Sequence, residues 1–167
     1  GPAPVRVLFS AHGIPENRVR AGDPYQAQVE ATVAAVVRRL DLKDWEICYQ
    51  SRVGPLKWLG PSTPEAIVRA GADGMGAVVV PVAFVSEHVE TLVELDHQYG
   101  ELARSVGCVP YVRVPAVGVE PAFIGALAAA VAEALDREPE GSAPFGGSAG
   151  AACAGFSACG GGCGAAA

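Results

Sequence analysis

The sequence predicts an α/β domain with a four-stranded parallel sheet and helices on both faces. Three observations carry that prediction. Short runs rich in β-branched and aromatic residues alternate with longer runs whose apolar residues recur at three and four, in the order β-α-β-α-β-α-β-α. Each strand-like run gives way to a polar turn and then a helix, so successive strands are joined by right-handed crossovers. Half of the 167 residues are apolar and 18% are charged, enough for one core of ordinary size.

Val5-Arg6-Val7-Leu8-Phe9-Ser10 is the first strand, broken by Ala11-His12-Gly13-Ile14-Pro15. Asp23-Pro24 starts a helix, with Asp23 as N-cap and Pro24 at the first helical position. The helix runs to about Leu40, and Val29, Val33, Val36, Val37 and Leu40 form its apolar stripe. Trp45–Gln50 is the second strand. It leads into a long loop, Ser51–Pro61, of a length that in a compact domain usually serves function. The next helix starts at Ser62-Thr63-Pro64-Glu65, with Thr63 as cap, and ends near Gly71–Gly76. Ala77–Val82 is the third strand.

A third helix is expected from Glu87 to Arg104, capped by Ser86 and closed by Gly107. On a wheel of about 3.6 residues per turn, Val89, Leu92, Leu95, Tyr99 and Leu102 share one face, and Glu90, Glu94, His97 and Glu101 share the other. Cys108–Val114 is the fourth strand, and Pro110 suits a sheet edge. The last helix, Pro121–Leu135, has Phe123, Leu127, Val131 and Leu135 as its stripe. From Pro139 the chain turns to Gly, Ala and Ser, with too little apolar surface to offset its chain entropy. The expected organisation is therefore an α/β domain over residues 1–138 and a mobile tail over 139–167, with Cys153, Cys159 and Cys163 in the tail.

Composition narrows the function classes. A net charge of −6 without a basic cluster argues against nucleic acid as a partner. No apolar run reaches the roughly 18 residues of a membrane-spanning helix; peripheral membrane contact is left open. Five cysteines, an odd number, suit reduced thiols or metal ligands in a cytoplasmic protein better than a disulfide framework. The chain begins Gly1-Pro2 rather than with Met, which suggests a cloning remnant or the cut edge of a longer chain.

The chemistry gathers behind the strands. His12, the Ser51–Trp58 loop and the Glu87–Glu90 turn each follow a strand, so a parallel sheet brings them to one edge, where open α/β sheets bind ligands. Imidazole and carboxylate there can move protons or hold a divalent metal. Glu90 and Glu94, one turn apart, could pass a cation between them. His97 and Glu101 read as a solvated helix face. Trp58 and Phe84 fit either the core or the wall of a cleft for a flat ligand. From the residues alone the reading stops at a small α/β domain with a His/Glu site.

Four segments add a resemblance: Leu8-Phe9-Ser10-Ala11-His12-Gly13-Ile14-Pro15, Gly22-Asp23-Pro24-Tyr25, Tyr49-Gln50-Ser51-Arg52-Val53-Gly54-Pro55 with Trp58-Leu59-Gly60-Pro61, and Phe84–Asp96. In order and spacing they resemble the C-terminal half of ferrochelatase, protoporphyrin-using branch, over about residues 5–135. The resemblance implies insertion of ferrous iron, the metal substrate, into protoporphyrin IX. It makes His12 the residue that faces the macrocycle, as proton acceptor or metal receiver, and Glu90 the catalytic carboxylate opposite. His12, Glu90 and Glu94 become iron-handling groups, with Asp96 further along an acidic path. Ser51, Arg52, Trp58, Phe84 and His88 become porphyrin-contacting residues. Glu87 departs from the family pattern, which commonly has Asp, and its pairing is the open point. Metallation strips two N–H protons from the ring while iron sheds water; an imidazole suits the first task and loosely binding carboxylates the second.

Ferrochelatases of this kind have two similar halves around the porphyrin and this chain supplies one, so a fragment is expected, completed by the N-terminal half or a second copy. Some members carry a [2Fe–2S] cluster on three cysteines near the C-terminus and a fourth upstream. Cys153, Cys159 and Cys163 are candidates for those three; the alternative is a tail whose cysteines bind nothing. Other functions remain open at this point: a small homodimeric chelatase of sirohydrochlorin type, which the Tyr49–Pro61 loop argues against, or a non-catalytic haem- or iron-binding module.

Overall fold

The computed structural model describes residues 3–136. One compact unit runs to Phe123 and a second begins at Ile124. In the first, strands β1 (Val5–His12), β2 (Trp45–Gln50), β3 (Gly76–Pro81) and β4 (Tyr111–Arg113) form a sheet in the order β2-β1-β3-β4. Every pairing is parallel, with His12 opposite Gln50 and Ser10 opposite Pro81. β2 lies on one side of β1 and β3 on the other. The strand order therefore reverses between β1 and β3, and their carboxyl ends flank the switch-point crevice.

The two-residue period of a strand sends alternate side chains to opposite faces. Leu8 and Cys48 join one core with Ile67, Val79 and Leu95. Phe9, Ala11 and Tyr49 join a second core on the other face with Val29 and Val33. The first face is covered by α3 (Thr63–Ala72), a wide helix π1 (Glu90–Gln98) and α4 (Tyr99–Ser105); α2 (Tyr25–Leu40) covers the second. The predicted fold class, a four-stranded parallel sheet with helices on both faces, is the one observed.

Several local expectations shift, each for a physical reason. The first strand runs on through Ala11 and His12 rather than breaking at Ala11, since both continue its pairing with β2, and a short helix α1 (Glu16–Arg20) follows the predicted break. α2 begins one residue later than predicted: Pro24 is its cap residue, and Asp23 Oδ1 accepts the Tyr25 N–H at 3.0 Å. Of its predicted stripe, Val29 and Val33 are buried but Leu40 is exposed. α3 is capped by Ser62, not Thr63. Ser62 and Glu65 form a reciprocal capping box, while Thr63 is fully buried with its hydroxyl 2.8 Å from Ser10 Oγ, so it cannot serve as cap.

β4 is shorter than Cys108–Val114, because Pro110 has no N–H to donate. It does lie at the sheet edge, as Pro110 suggests. The single helix expected over Glu87–Arg104 is replaced by π1 followed by α4. In π1 the backbone bonds span five residues: Tyr99 N–H donates to Glu94 C=O. An α-helical wheel does not describe such a segment. Accordingly Thr91 and Leu95 are its buried residues, whereas Val89 and Leu92 are exposed. Helix α5 (Pro121–Asp136) forms where predicted, and none of its residues is buried. The expected boundary at 138, the tail, and Cys153, Cys159 and Cys163 lie outside the described residues.

Leu8 is wholly buried while Leu40 is 62% exposed. Leu8→Ala is therefore expected to lower the urea-unfolding free energy by about 2–5 kcal/mol, and Leu40→Ala by less than about 0.5 kcal/mol. Equal costs would contradict the assignment of the stripe's last residue to solvent.

Candidate functional site

His12 ends β1, and its backbone is pinned from two sides. Tyr25 OH donates to His12 C=O at 2.9 Å, and Gly13 N–H donates to Gln50 C=O at 2.8 Å. Gly13 must be glycine here: a Cβ would stand 2.9 Å from that carbonyl oxygen and 3.3 Å from the Trp58 ring. His12 Nδ1 lies 2.7 Å from Gly13 C=O. A carbonyl can only accept, so Nδ1 carries the proton and Nε2 is the basic nitrogen. Nε2 points at Glu90 Oε1, 3.5 Å away.

Glu90 stands between two imidazoles. Its other oxygen is 3.8 Å from His88 Nδ1, and that nitrogen accepts the Glu90 N–H at 3.3 Å. Hydrogen-bond acceptors thus converge on the carboxylate from both sides, an arrangement suited to receiving a proton or a cation. His12 and Glu90 are 41% and 34% exposed, so the pair remains open to a ligand.

A buried chain of hydrogen bonds fixes where Glu90 sits. Ser10 Oγ donates to Gln50 Oε1 at 2.8 Å and has spent its hydrogen, so the Thr63 hydroxyl donates to Ser10. Gln50 Nε2 then donates to the Glu90 backbone carbonyl at 3.1 Å. Ser10, Gln50 and Thr63 are at most 1% exposed. Sequence reasoning gave these three no role. A signal was present, however: Ser10 follows Leu8, and Gln50 follows Cys48, at the two-residue spacing of a buried strand face.

Glu94 is not gathered with His12 and Glu90 into one ligand group. Its Oε2 accepts from Ser51 Oγ at 2.9 Å and from Tyr99 OH at 3.2 Å. Burial and the neighbouring Glu94 both push the Tyr99 phenol upward, so it stays a donor. Ser51 holds a left-handed backbone, φ 63°, a strained conformation for a residue with a side chain. Arg52 turns back over its own loop, donating to Leu59 C=O at 2.6 Å with Glu65 3.9 Å away. Phe84 is buried, its ring centroid 5.0 Å from that of His88. Trp58 lies against Gly13, and among the described residues its buried Nε1–H meets no acceptor.

Glu87, the departure from the family pattern, is well paired. Its Oε1 accepts from Arg113 and from Ala116 N–H, both at 2.8 Å, and its Oε2 accepts from Thr91 Oγ1 at 2.7 Å. Burial opposes its ionisation, but those hydrogen bonds win and bring the carboxyl from 4.5 down to about 2. Asp96 gives both oxygens to Arg113. His97 and Glu101 are exposed.

Among the described residues no group of three or more His, Cys, Asp or Glu side chains has the arrangement to hold a metal ion. Cys48 and Cys108 are buried, and burial raises both thiols, Cys48 to about 12. No helix is long and apolar enough to cross a membrane among the described residues.

Comparison with known proteins bears on this geometry. A family model described as Ferrochelatase matches residues 2–135. A Caulobacter vibrioides ferrochelatase is 59% identical over 139 residues, which cover 83% of this chain and 40% of that protein. A Phenylobacterium zucineum ferrochelatase is 60% identical over 146 residues, 87% and 42% of the two chains. One from Synechocystis is 47% identical over 141 residues, 83% and 36%. The chain thus spans about two fifths of the length of the relatives it matches. Among solved structures, a Marinobacter aquaeolei protein described as a CbiX protein of cobalamin (vitamin B12) biosynthesis superposes with a TM-score of 0.59 at 21% identity. It covers 81% of this chain and 100% of that one, a likeness of fold.

Two outcomes are expected of this geometry. Because the folded Glu87 carboxyl titrates below its ordinary value, its contribution to stability is present above the ordinary carboxylate range and is lost as pH falls toward about 2. The difference in urea midpoint between the parent and Glu87→Gln should therefore be full at and above about pH 6 and close on acidification; a difference that does not vary with pH would count against the pairing. Gln50→Ala and Ser10→Ala should each cost about 1–3 kcal/mol and combine non-additively, since both break one buried chain. Simple additivity in the double variant would deny that chain.

Proposed function

The chain belongs to the ferrochelatase family, and from that premise we propose that it supplies the proton-accepting wall of a lyase that inserts ferrous iron into protoporphyrin IX. The observation that carries the reading is the Glu90 carboxylate standing between His12 and His88 at the switch-point edge of the sheet.

Insertion exchanges two pyrrole N–H protons for one Fe²⁺, so charge balances when both protons leave. His12 Nε2 takes the two ring protons in turn, the first passing on to solvent before the second is accepted, its Nδ1–H being held on Gly13 C=O. The imidazolium that forms faces the Glu90 carboxylate, which stabilises it until the proton passes to solvent. Glu94, tethered by Ser51 and Tyr99, meets the hydrated iron along the same helix; oxygen donors of this kind bind a divalent ion weakly enough to release it. Trp58, Phe84 and His88 line the porphyrin side. Arg52 contributes by shaping the Ser51–Pro61 loop, in keeping with its bond to Leu59 C=O.

A porphyrin needs two walls, and the chain corresponds to about two fifths of its relatives' length. The second wall is the N-terminal half found in those relatives, or a second copy. A [2Fe–2S] cluster would draw on the tail rather than on the sheet. Its three candidate ligands, Cys153, Cys159 and Cys163, lie outside the described residues, and the two described cysteines are buried protonated thiols.

The test is loss of porphyrin fluorescence on adding iron(II), with the chain joined to its N-terminal half. His12→Ala is expected to lower the turnover rate by about 10²–10⁴-fold, the range of general acid–base catalysis, with His97→Ala unchanged. Wild-type turnover retained by His12→Ala would sink the assignment, and quenching that stops at one equivalent would mark a binding module instead.

A further inference from the structure

Nine consecutive residues wound with i→i+5 bonds are unusual, since such winding mostly occurs as a single-turn bulge in an α-helix. Something must hold π1 against relaxing to the narrower helix. One side chain bridges its two ends. Arg113, on the edge strand β4 and only 12% exposed, donates from Nε and Nη2 to the two oxygens of Asp96, at 2.5 and 2.9 Å. Its Nη1 donates to Glu87 at 2.8 Å. Glu87 lies in the turn that enters the helix, and Asp96 lies near its far end.

The geometry points to Arg113 as a positioning residue: by clamping Glu87 and Asp96 it fixes the wide winding of π1, and with it the directions in which Glu90 and Glu94 project. Re-winding the segment with i→i+4 bonds changes the angle turned per residue. Over the stretch from Glu90 to Asp96 that change accumulates and carries Asp96 off the face that Arg113 reads. The same rotation moves Glu94 away from Ser51 and Tyr99. Clamp and carboxylate placement are therefore coupled. A three-donor, partly bidentate grip needs the planar fork of arginine; the ammonium of lysine supplies the charge without that geometry. Asp96, which the family resemblance puts on an acidic path for iron, has both oxygens committed here and acts through the helix. The consequence for catalysis rests on the iron-insertion reading; the clamp itself does not.

The experiment has two arms. Arg113→Lys and Asp96→Asn are each expected to speed amide hydrogen exchange across Leu92–Gln98 about tenfold or more, with the amides of Leu8–Ser10 unchanged. In the protein joined to its N-terminal half, both variants should raise the iron(II) concentration for half-maximal rate by a similar factor and leave porphyrin KM unchanged. Unchanged exchange in π1, an equal rise in β1, or full rescue by Lys overturns the clamp. Faster exchange without any change in iron dependence overturns its link to catalysis. Absence of turnover in the unsubstituted protein is a failure of the iron-insertion reading alone, and the exchange arm still decides the clamp.

Discussion

The hydrogen bond from the buried Gln50 amide to the Glu90 carbonyl is the constraint that the site depends on. It joins the end of β2 to the first residue of the helix beyond β3, across β1 between them. Ser10 and Thr63 fix which way the Gln50 amide faces, because each hydroxyl has one hydrogen to give. In a dry environment an unmatched member of such a chain would cost on the order of 1–3 kcal/mol, so the chain holds one arrangement. His12, one pleat beyond Ser10 on the same face of β1, meets Glu90 as a consequence.

The carboxylates around that point are sorted by their partners. Four of them, Glu87, Glu90, Glu94 and Asp96, lie within ten residues of chain and would repel one another if left alone. Glu87 and Asp96 share the guanidinium of Arg113, and Glu94 is held by two hydroxyls. Among the described residues the side-chain groups that face the Glu90 carboxylate are the imidazoles of His12 and His88. The acid left to interact with a proton or a cation is thus selected by how its neighbours are occupied.

Much of this was legible along the chain. The alternation of β-rich and helical runs gave the order of elements, and crossover geometry put the ends of β1, β2 and β3 on one rim. Pro110 marked an edge strand. The capping residue of α3 was misread because Ser62 and Thr63 are chemically equivalent caps, and only the Ser10 hydroxyl across the core decides which of them turns inward. The helix after β3 was misread because its apolar pattern was projected on an α-helical wheel, while contacts from β2 and β4 hold a wider one.

Local sequence by itself determined the fold class, the strand boundaries to within a few residues, and the meeting of His12 with the acidic segment, because two-residue and roughly 3.6-residue periods are properties of the backbone. Only the tertiary structure decided the winding of Glu90–Gln98, the assignment of each carboxylate to its partner, and the orientation of the Gln50 amide. Each of those depends on partners that the segment itself does not contain: Ser10 on β1 for the Gln50 amide, and on β4 both Arg113 and Tyr111, whose hydroxyl donates to Leu95 C=O at 2.7 Å.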